Sequence, residues 1–211
     1  MYRTAYLWYT IWKEAVSEGT ILKKLLFVNA CVRRETSRTN RLGRAFVVRL
    51  CREEPYEVKE VILEEEGLRG LDTGSLARRD RLISEGHLEH DMFRYARDFR
   101  KADEIVIAAP YWDMSFPAAL KCYLEAVSIV GLTFRYQVDG TPEGLCRAKR
   151  LTYITTAGGF IGENNFGYDY VRALAGLFGI AQTQEFRAEG LDIVGADAEA
   201  ILKQAEAELL A

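Results

Sequence analysis

Three stretches of this 211-residue chain gather side chains able to hold a ligand and let it react. The first, Cys31-Val-Arg-Arg-Glu-Thr-Ser-Arg-Thr-Asn40, sets hydroxyls at Thr36, Ser37 and Thr39 beside the Arg38 charge, just ahead of a segment with helical spacing. A helix start presents N–H groups without helical partners and a partial positive charge, which suits an anion such as a phosphate. Serine and threonine at that place also act as plain helix caps, so two readings stand at this point. The second stretch, Pro110-Tyr-Trp-Asp-Met-Ser-Phe-Pro117, puts large aromatics at the end of an apolar run. There they can lie along a flat heterocycle while backbone groups meet its polar edge, or they can pack beneath the loop. The third, Thr155-Thr-Ala-Gly-Gly-Phe160, follows a β-type run with two glycines. Glycine permits positive φ and a close approach of ligand to backbone, and an ordinary tight turn uses it too. The chain contains neither G-x-G-x-x-G nor G-x-x-x-x-G-K-[ST], so neither a dinucleotide turn nor an ATP loop is indicated.

The elements around these loops decide whether they meet. Short continuous apolar runs at Lys24–Cys31, Asp103–Pro110 and Arg150–Thr156 predict strands buried on both faces, with further strands at Tyr56–Leu63 and Gln182–Glu189. Helical spacing falls between them, over Arg38–Arg52, Met92–Ala102, Pro117–Val130, Asn165–Phe178 and Asp197–Leu210. Strands alternating with helices predict an α/β fold with an open, doubly wound parallel sheet of five strands and helices on both faces. Such sheets bind ligands beyond the carboxyl ends of their strands, at the point where strand order reverses. All three loops fall on that edge.

The first 22 residues stand apart. Ala5, Trp8, Tyr9, Trp12 and Val16 follow helical spacing, with Gly19 able to end the helix, and the segment lacks the basic start and small-residue cleavage site of a secretory signal. We therefore expect an N-terminal helical extension over 1–22 and one domain over 23–211. Lys+Arg is 28 against 31 for Asp+Glu, so no global basic field favours nucleic acid. No apolar run reaches the roughly 18–20 residues of a membrane span. Four scattered cysteines without a C-x-x-C pair, and only two histidines, argue against a zinc site and for a reducing, cytoplasmic setting.

Taken in order, Ser37-Arg-Thr-Asn-Arg-Leu42, Pro110-Tyr-Trp-Asp-Met114 with Leu120-Lys121, Gly131-Leu-Thr-Phe-Arg-Tyr136 with Pro142-Glu-Gly-Leu145, and Thr155-Thr-Ala-Gly-Gly159 resemble the flavodoxin-like FMN-dependent NADH:quinone oxidoreductases, also called azoreductases. The resemblance covers roughly residues 23–211 and implies a flavodoxin-like fold with FMN as cofactor and NADH or NADPH as electron donor. It implies that Cys31, Ser37, Arg38 and Thr39 surround the FMN phosphate, that Tyr111, Trp112, Asp113 and Met114 border the ribityl chain and ring, and that Thr156, Ala157, Gly158 and Gly159 approach the pyrimidine edge. Three positions depart from the pattern: Cys31 replaces a usual serine, Asp113 a common asparagine and Ala157 a frequent arginine. A homodimer is implied as well.

With FMN bound, the cofactor carries the chemistry and no catalytic acid or nucleophile is required of the protein. A hydride taken from the nicotinamide would pass as an electron pair to a small aromatic acceptor (a quinone, azo or nitro compound) in a ping-pong cycle at one shared pocket. The competing reading is a flavodoxin-like electron carrier or a flavin-binding regulatory protein with no substrate of its own. Residues 64–91, a long connection with patchy helical pattern, and the Thr133–Tyr136 element are expected to wall the pocket, which favours the enzyme. His87 and His90, the runs Glu64–Glu66 and Arg78–Arg81, and the Cys31 thiol read as solvated surface or core rather than as chemistry.

Overall fold

The computed structural model describes residues 22–210. The helix expected over residues 5–16 lies outside them. Strand β1 (Lys23–Asn29) alternates its apolar side chains between two cores, as the period of two requires. Leu25 and Phe27 face one side of the sheet with Val106, Ala108 and Ile154, while Leu26 and Val28 face the other with Ile105, Ile107, Leu151 and Tyr153. Helix α1 (Arg38–Glu53) covers the first side and is followed by β2 (Tyr56–Ile62), the one-turn α2 (Leu63–Glu66) and α3 (Thr73–Ser84). Next come α4 (Arg94–Lys101), β3 (Glu104–Ala108), α5 (Ala118–Val127) and a small hairpin of β4 (Phe134–Tyr136) and β5 (Pro142–Gly144). The chain closes with β6 (Arg150–Thr156), α6 (Phe166–Leu177), β7 (Gln182–Ala188) and α7 (Ala198–Leu210).

The main sheet runs β2-β1-β3-β6-β7 with every pairing parallel. This is the expected five-stranded doubly wound sheet. Chain order reverses between β1 and β3, so a crevice opens at their carboxyl ends. Arg41 ties the two helices on one face together, its guanidinium meeting Glu206 at 2.7 and 2.8 Å and Glu199 at 2.8 Å. Helices α4, α5 and α6 cover the other face, where Phe99 and Phe178 pack edge to face at 5.6 Å.

Two regions differ from the pattern expected of them. Residues 64–91 hold a regular helix, α3, that periodicity does not reveal because Leu82 is its only buried residue. Its start is fixed locally: Asp72 accepts from the Ser75 N–H at 2.7 Å and the Ser75 hydroxyl accepts from the Asp72 N–H at 2.9 Å, a reciprocal cap. The Pro117–Val130 helix is shorter than expected, running Ala118–Val127 with Pro117 outside it as the cap residue. Among the described residues no helix is long and apolar enough to cross a membrane.

Candidate functional site

The crevice at the β1/β3 reversal is a cleft of about 420 Å³, within the range of small-ligand sites. Its lining draws on all three loops: Thr36, Ser37, Arg38 and Thr39 from the first, Tyr111 and Trp112 from the second, Thr156, Ala157 and Gly158 from the third. The walls come together through backbone bonds. The Tyr111 N–H donates to the Thr156 carbonyl at 3.0 Å, and the Ala30 N–H to the Ala108 carbonyl at 2.9 Å. At the floor, the Thr39 and Thr156 hydroxyl oxygens lie 2.6 Å apart, both residues buried.

In the first loop one hydroxyl caps the helix while its neighbours line the cleft. The Ser37 hydroxyl caps α1, accepting from the Asn40 N–H at 3.2 Å. Thr36, Arg38 and Thr39 remain on the cleft side. The loop's shape rests on a polar network behind it. Asn40 accepts from Asn29 Nδ2 at 3.0 Å and from Arg44 Nε at 3.1 Å, and its own amide donates to the Arg34 carbonyl at 3.0 Å. Asn29 and Arg44 both reach the buried Glu60 carboxylate, at 3.1 and 2.7 Å. Arg34 itself sits at φ 49°, the left-handed region, which the Asn40 bond helps to hold. The 16-residue α1 thus starts at a loop braced by side-chain hydrogen bonds, with its first residues, Arg38 and Thr39, lining the cleft.

Cys31 does not line the cleft. Its side chain lies 3.6 Å from the Ala108 carbonyl, and burial pushes its thiol up to about 12, so it is a neutral, weak donor under the floor. A thiol there keeps the small volume of a serine and fills core, as a buried cysteine commonly does.

The second loop is a tight turn. Trp112 and Ser115 exchange backbone bonds of 3.1 and 2.8 Å, and both central residues, Asp113 and Met114, have positive φ (50° and 64°). Two consecutive positive φ values define the turn type that favours Asn-Gly; a methionine in it is strained. The strain holds Trp112 at the mouth with 43% of its surface exposed. Asp113 and Met114 occupy the tip of the turn and do not line the cleft.

At the third loop, neither glycine adopts positive φ. Gly158 packs closely instead: a Cβ there would lie 2.5 Å from Asp192 Oδ2 and 3.2 Å from its Cβ, so a side chain would displace the Asp192 carboxylate. Gly159 is outside the cleft lining and faces open space. The Leu191 and Asp192 N–H groups donate to the Ala157 and Gly158 carbonyls at 3.2 and 2.9 Å, so the loop after β7 lies directly over this turn.

Sequence reasoning missed the β7 loop, since Leu191 and Asp192 carry no motif, and it missed Val32, Arg33 and Pro110. It also placed residues 64–91 and Thr133–Tyr136 around this cleft, whereas none of them lines it. Residues 66–72 instead border a second hollow of about 390 Å³ with Met92–Tyr95, Glu125, Ala126 and Ile129. His90 has a local role, its Nδ1 accepting from the Met92 N–H at 3.1 Å. Among the described residues no cluster of three or more His, Cys, Asp or Glu could hold a metal ion.

Comparison with known proteins adds the following. Residues 23–211 match a family described by its flavodoxin-like fold. A curated relative from Clostridium acetobutylicum, called FMN-dependent NADH:quinone oxidoreductase 2, is 34% identical over 189 residues, spanning 86% of this chain and 94% of that protein. One from Lachnoclostridium phytofermentans, called FMN-dependent NADH:quinone oxidoreductase, is 33% identical over 187 residues, spanning 87% and 94%. Among solved structures, an azoreductase from Bacillus anthracis superposes with a TM-score of 0.78 at 25% identity, covering 90% of this chain and 97% of that one.

Proposed function

This chain belongs to the flavodoxin-like family that its residues 23–211 match, and we propose that within it the protein is an FMN-dependent NADH:quinone oxidoreductase that also reduces azo compounds. The observation that carries the reading is the cleft itself. It gathers the α1 start with Thr36, Arg38 and Thr39, the Trp112 side chain and the backbone of Ala157 and Gly158 around one hollow, with the hydroxyls of Thr39 and Thr156 2.6 Å apart. A mononucleotide with one phosphate and one flat ring fits that donor set, and the chain offers no second nucleotide motif. The relatives' names, which specify FMN, NADH and quinone, support the same assignment, as does the azoreductase likeness.

Bound FMN would supply the redox chemistry, accepting a hydride from the nicotinamide and delivering two electrons to the acceptor. The chain's part is binding and orientation. Arg38, Thr36 and Thr39 would hold the phosphate, with the helix start adding its partial positive charge. Trp112 would lie along the ring and keep water from one of its edges. The N–H groups of the 157–158 turn would face the ring's polar edge, where negative charge develops on reduction. Ala157 offers no side-chain cation there, so backbone donors alone serve that edge.

A homodimer accompanies this reading. Trp112 at the cleft, its neighbour Met114, and Val130 leave apolar surface exposed, and a two-fold partner would cover it. The helix α5 adds little to that surface, since Leu120, Tyr123, Leu124 and Val127 all point inward. A cytoplasmic location agrees with four cysteines that are all unpaired.

The test is direct. The purified protein should be yellow, release one FMN per chain on denaturation, and oxidise NADH only when menadione or an azo dye is present. Varied NADH at several quinone concentrations should give parallel double-reciprocal lines. A colourless protein that neither takes up FMN nor oxidises NADH would overturn the assignment, and FMN uptake without NADH oxidation would return it to the electron-carrier reading.

A further inference from the structure

Two arginines, Arg33 and Arg38, line the cleft, and Arg38, the one at the start of α1, is already engaged. Arg38 Nη1 lies 2.7 Å from Asp192 Oδ1, and both side chains reach solvent. Asp192 is no casual surface partner. Its N–H donates to the Gly158 carbonyl at 2.9 Å, and its carboxylate occupies the space that a side chain on residue 158 would fill. The backbone thus sets Asp192 at the edge of the cleft, within reach of Arg38. The pair also joins the α1 start to the loop after β7, both of which line the cleft.

A fixed carboxylate beside an anion site costs affinity for every anion but not equally. A phosphate monoester is close to dianionic at neutral pH, with a second ionisation near 6. It can take Arg38 from a single carboxylate charge, whereas a monoanionic phosphodiester or a neutral hydroxyl gains nothing by the exchange. We propose that Asp192 is a specificity-determining residue of the cofactor site: it holds Arg38 in reserve, so that a flavin whose phosphate is a monoester dianion engages the guanidinium more readily than one whose phosphates are diesters of one charge each. The inference rests on the FMN reading given above. It predicts that binding weakens as pH falls through the phosphate ionisation, because the monoanion competes less well for Arg38.

Quenching of flavin fluorescence tests this without reference to turnover. Dissociation constants for FMN, FAD and riboflavin would be measured on apoprotein with wild-type sequence, Asp192→Asn and Arg38→Gln, and on the double variant. Asp192→Asn should tighten FMN about fivefold at low salt, an advantage that fades toward 0.5 M salt as screening sets in. Riboflavin should not change, and FAD should gain on FMN less than its own wild-type deficit. In the Arg38→Gln background the Asp192 substitution should lose its effect. Equal tightening of riboflavin and FMN would mean the loop merely relaxed, and would overturn the proposal. So would weaker FMN binding by Asp192→Asn, which would make the carboxylate a support for Arg38 rather than a competitor. Thermal melting of each variant checks that the fold is intact. Failure of the wild-type protein to bind any flavin would instead overturn the FMN reading on which this one stands.

Discussion

The Thr39–Thr156 hydroxyl pair offers a test of the site from its floor. Each residue is buried, at 1% and 8% exposure, and the oxygens are 2.6 Å apart, so each hydroxyl has the other as partner. Thr39→Val keeps the shape and leaves the Thr156 oxygen without that partner. An unsatisfied buried hydroxyl costs about 1–3 kcal/mol, and the small residual exposure of Thr156 puts the expected value near the lower half, about 1.5 kcal/mol. For a domain of this size that is a Tm loss of about 3–6 °C. Thr156→Val should cost about the same, whereas the double variant, which removes both polar atoms, should return to within about 0.5 kcal/mol of wild type. Urea denaturation of the four proteins gives the coupling energy, expected to be about 2.5–3 kcal/mol. The same variants separate stability from binding. A hydrogen bond to a charged phosphate is worth about 1.5–3 kcal/mol, so Thr39→Val should weaken FMN by at least about tenfold and leave riboflavin nearly unchanged. Additive destabilisation would refute the pairing; an unchanged FMN constant would refute the position of the phosphate.

Further outcomes follow from features elsewhere. Gly144→Ala should destabilise by about 3 kcal/mol or more, because the added Cβ would stand 2.0 Å from the Gly179 nitrogen and 2.1 Å from the Phe178 carbonyl carbon; circular dichroism melts would show it, and a loss under about 1 kcal/mol would mean the hairpin sits elsewhere. Iodoacetamide at pH 8 should leave Cys31 unmodified in the folded protein, since its thiol is pushed up to about 12 and thiolate is the reactive form; mass spectrometry finding early label there would contradict its burial. Light scattering should report a dimer at micromolar concentration, and Trp112→Glu should shift it toward monomer; a wild-type monomer with full activity would remove the homodimer. Deleting residues 1–20 should lower Tm more than it lowers flavin content, and loss of FMN from a folded deletion variant would reverse that expectation.

The sheet was legible because its three central strands are short runs of residues buried on both faces, a pattern that polar loops and amphipathic helices do not produce. Helix α3 was not, since one buried leucine gives no stripe to detect and its start depends on two polar side chains, Asp72 and Ser75, closing on each other. At the site, the residues carrying recognisable chemistry were legible: Ser37, Arg38, Thr39, Trp112, Thr156 and Gly158 all meet the cleft. What sequence could not resolve was direction. Asp113 and Met114 belong to the right loop yet sit at its tip, because two consecutive positive φ values turn them away. Asp192 belongs to a loop with no motif, and its place over Gly158 follows from the parallel pairing of β6 with β7, a contact between residues far apart in the chain. The supporting network of Asn29, Asn40, Arg44 and Glu60 escaped notice for the same reason.

The backbone contact between Gly144 and Gly179 limits how this scaffold can be altered. Gly144 closes the β4–β5 hairpin and abuts the turn between α6 and β7, where Gly179 has a φ of 84° that a side chain would strain. The base of the hairpin is therefore welded to the body of the domain at two sites that must vary together or not at all. Its tip is different: Val138 is fully exposed, and Gly140 has nothing within 4 Å of where a Cβ would stand. Libraries aimed at this hairpin should diversify residues 137–139 and 141 and leave 140, with its φ of 84°, and 144 and 179 untouched. A graft of a longer loop at the tip would inherit a rigid stem, so new surface could be displayed there without reopening the core beneath it.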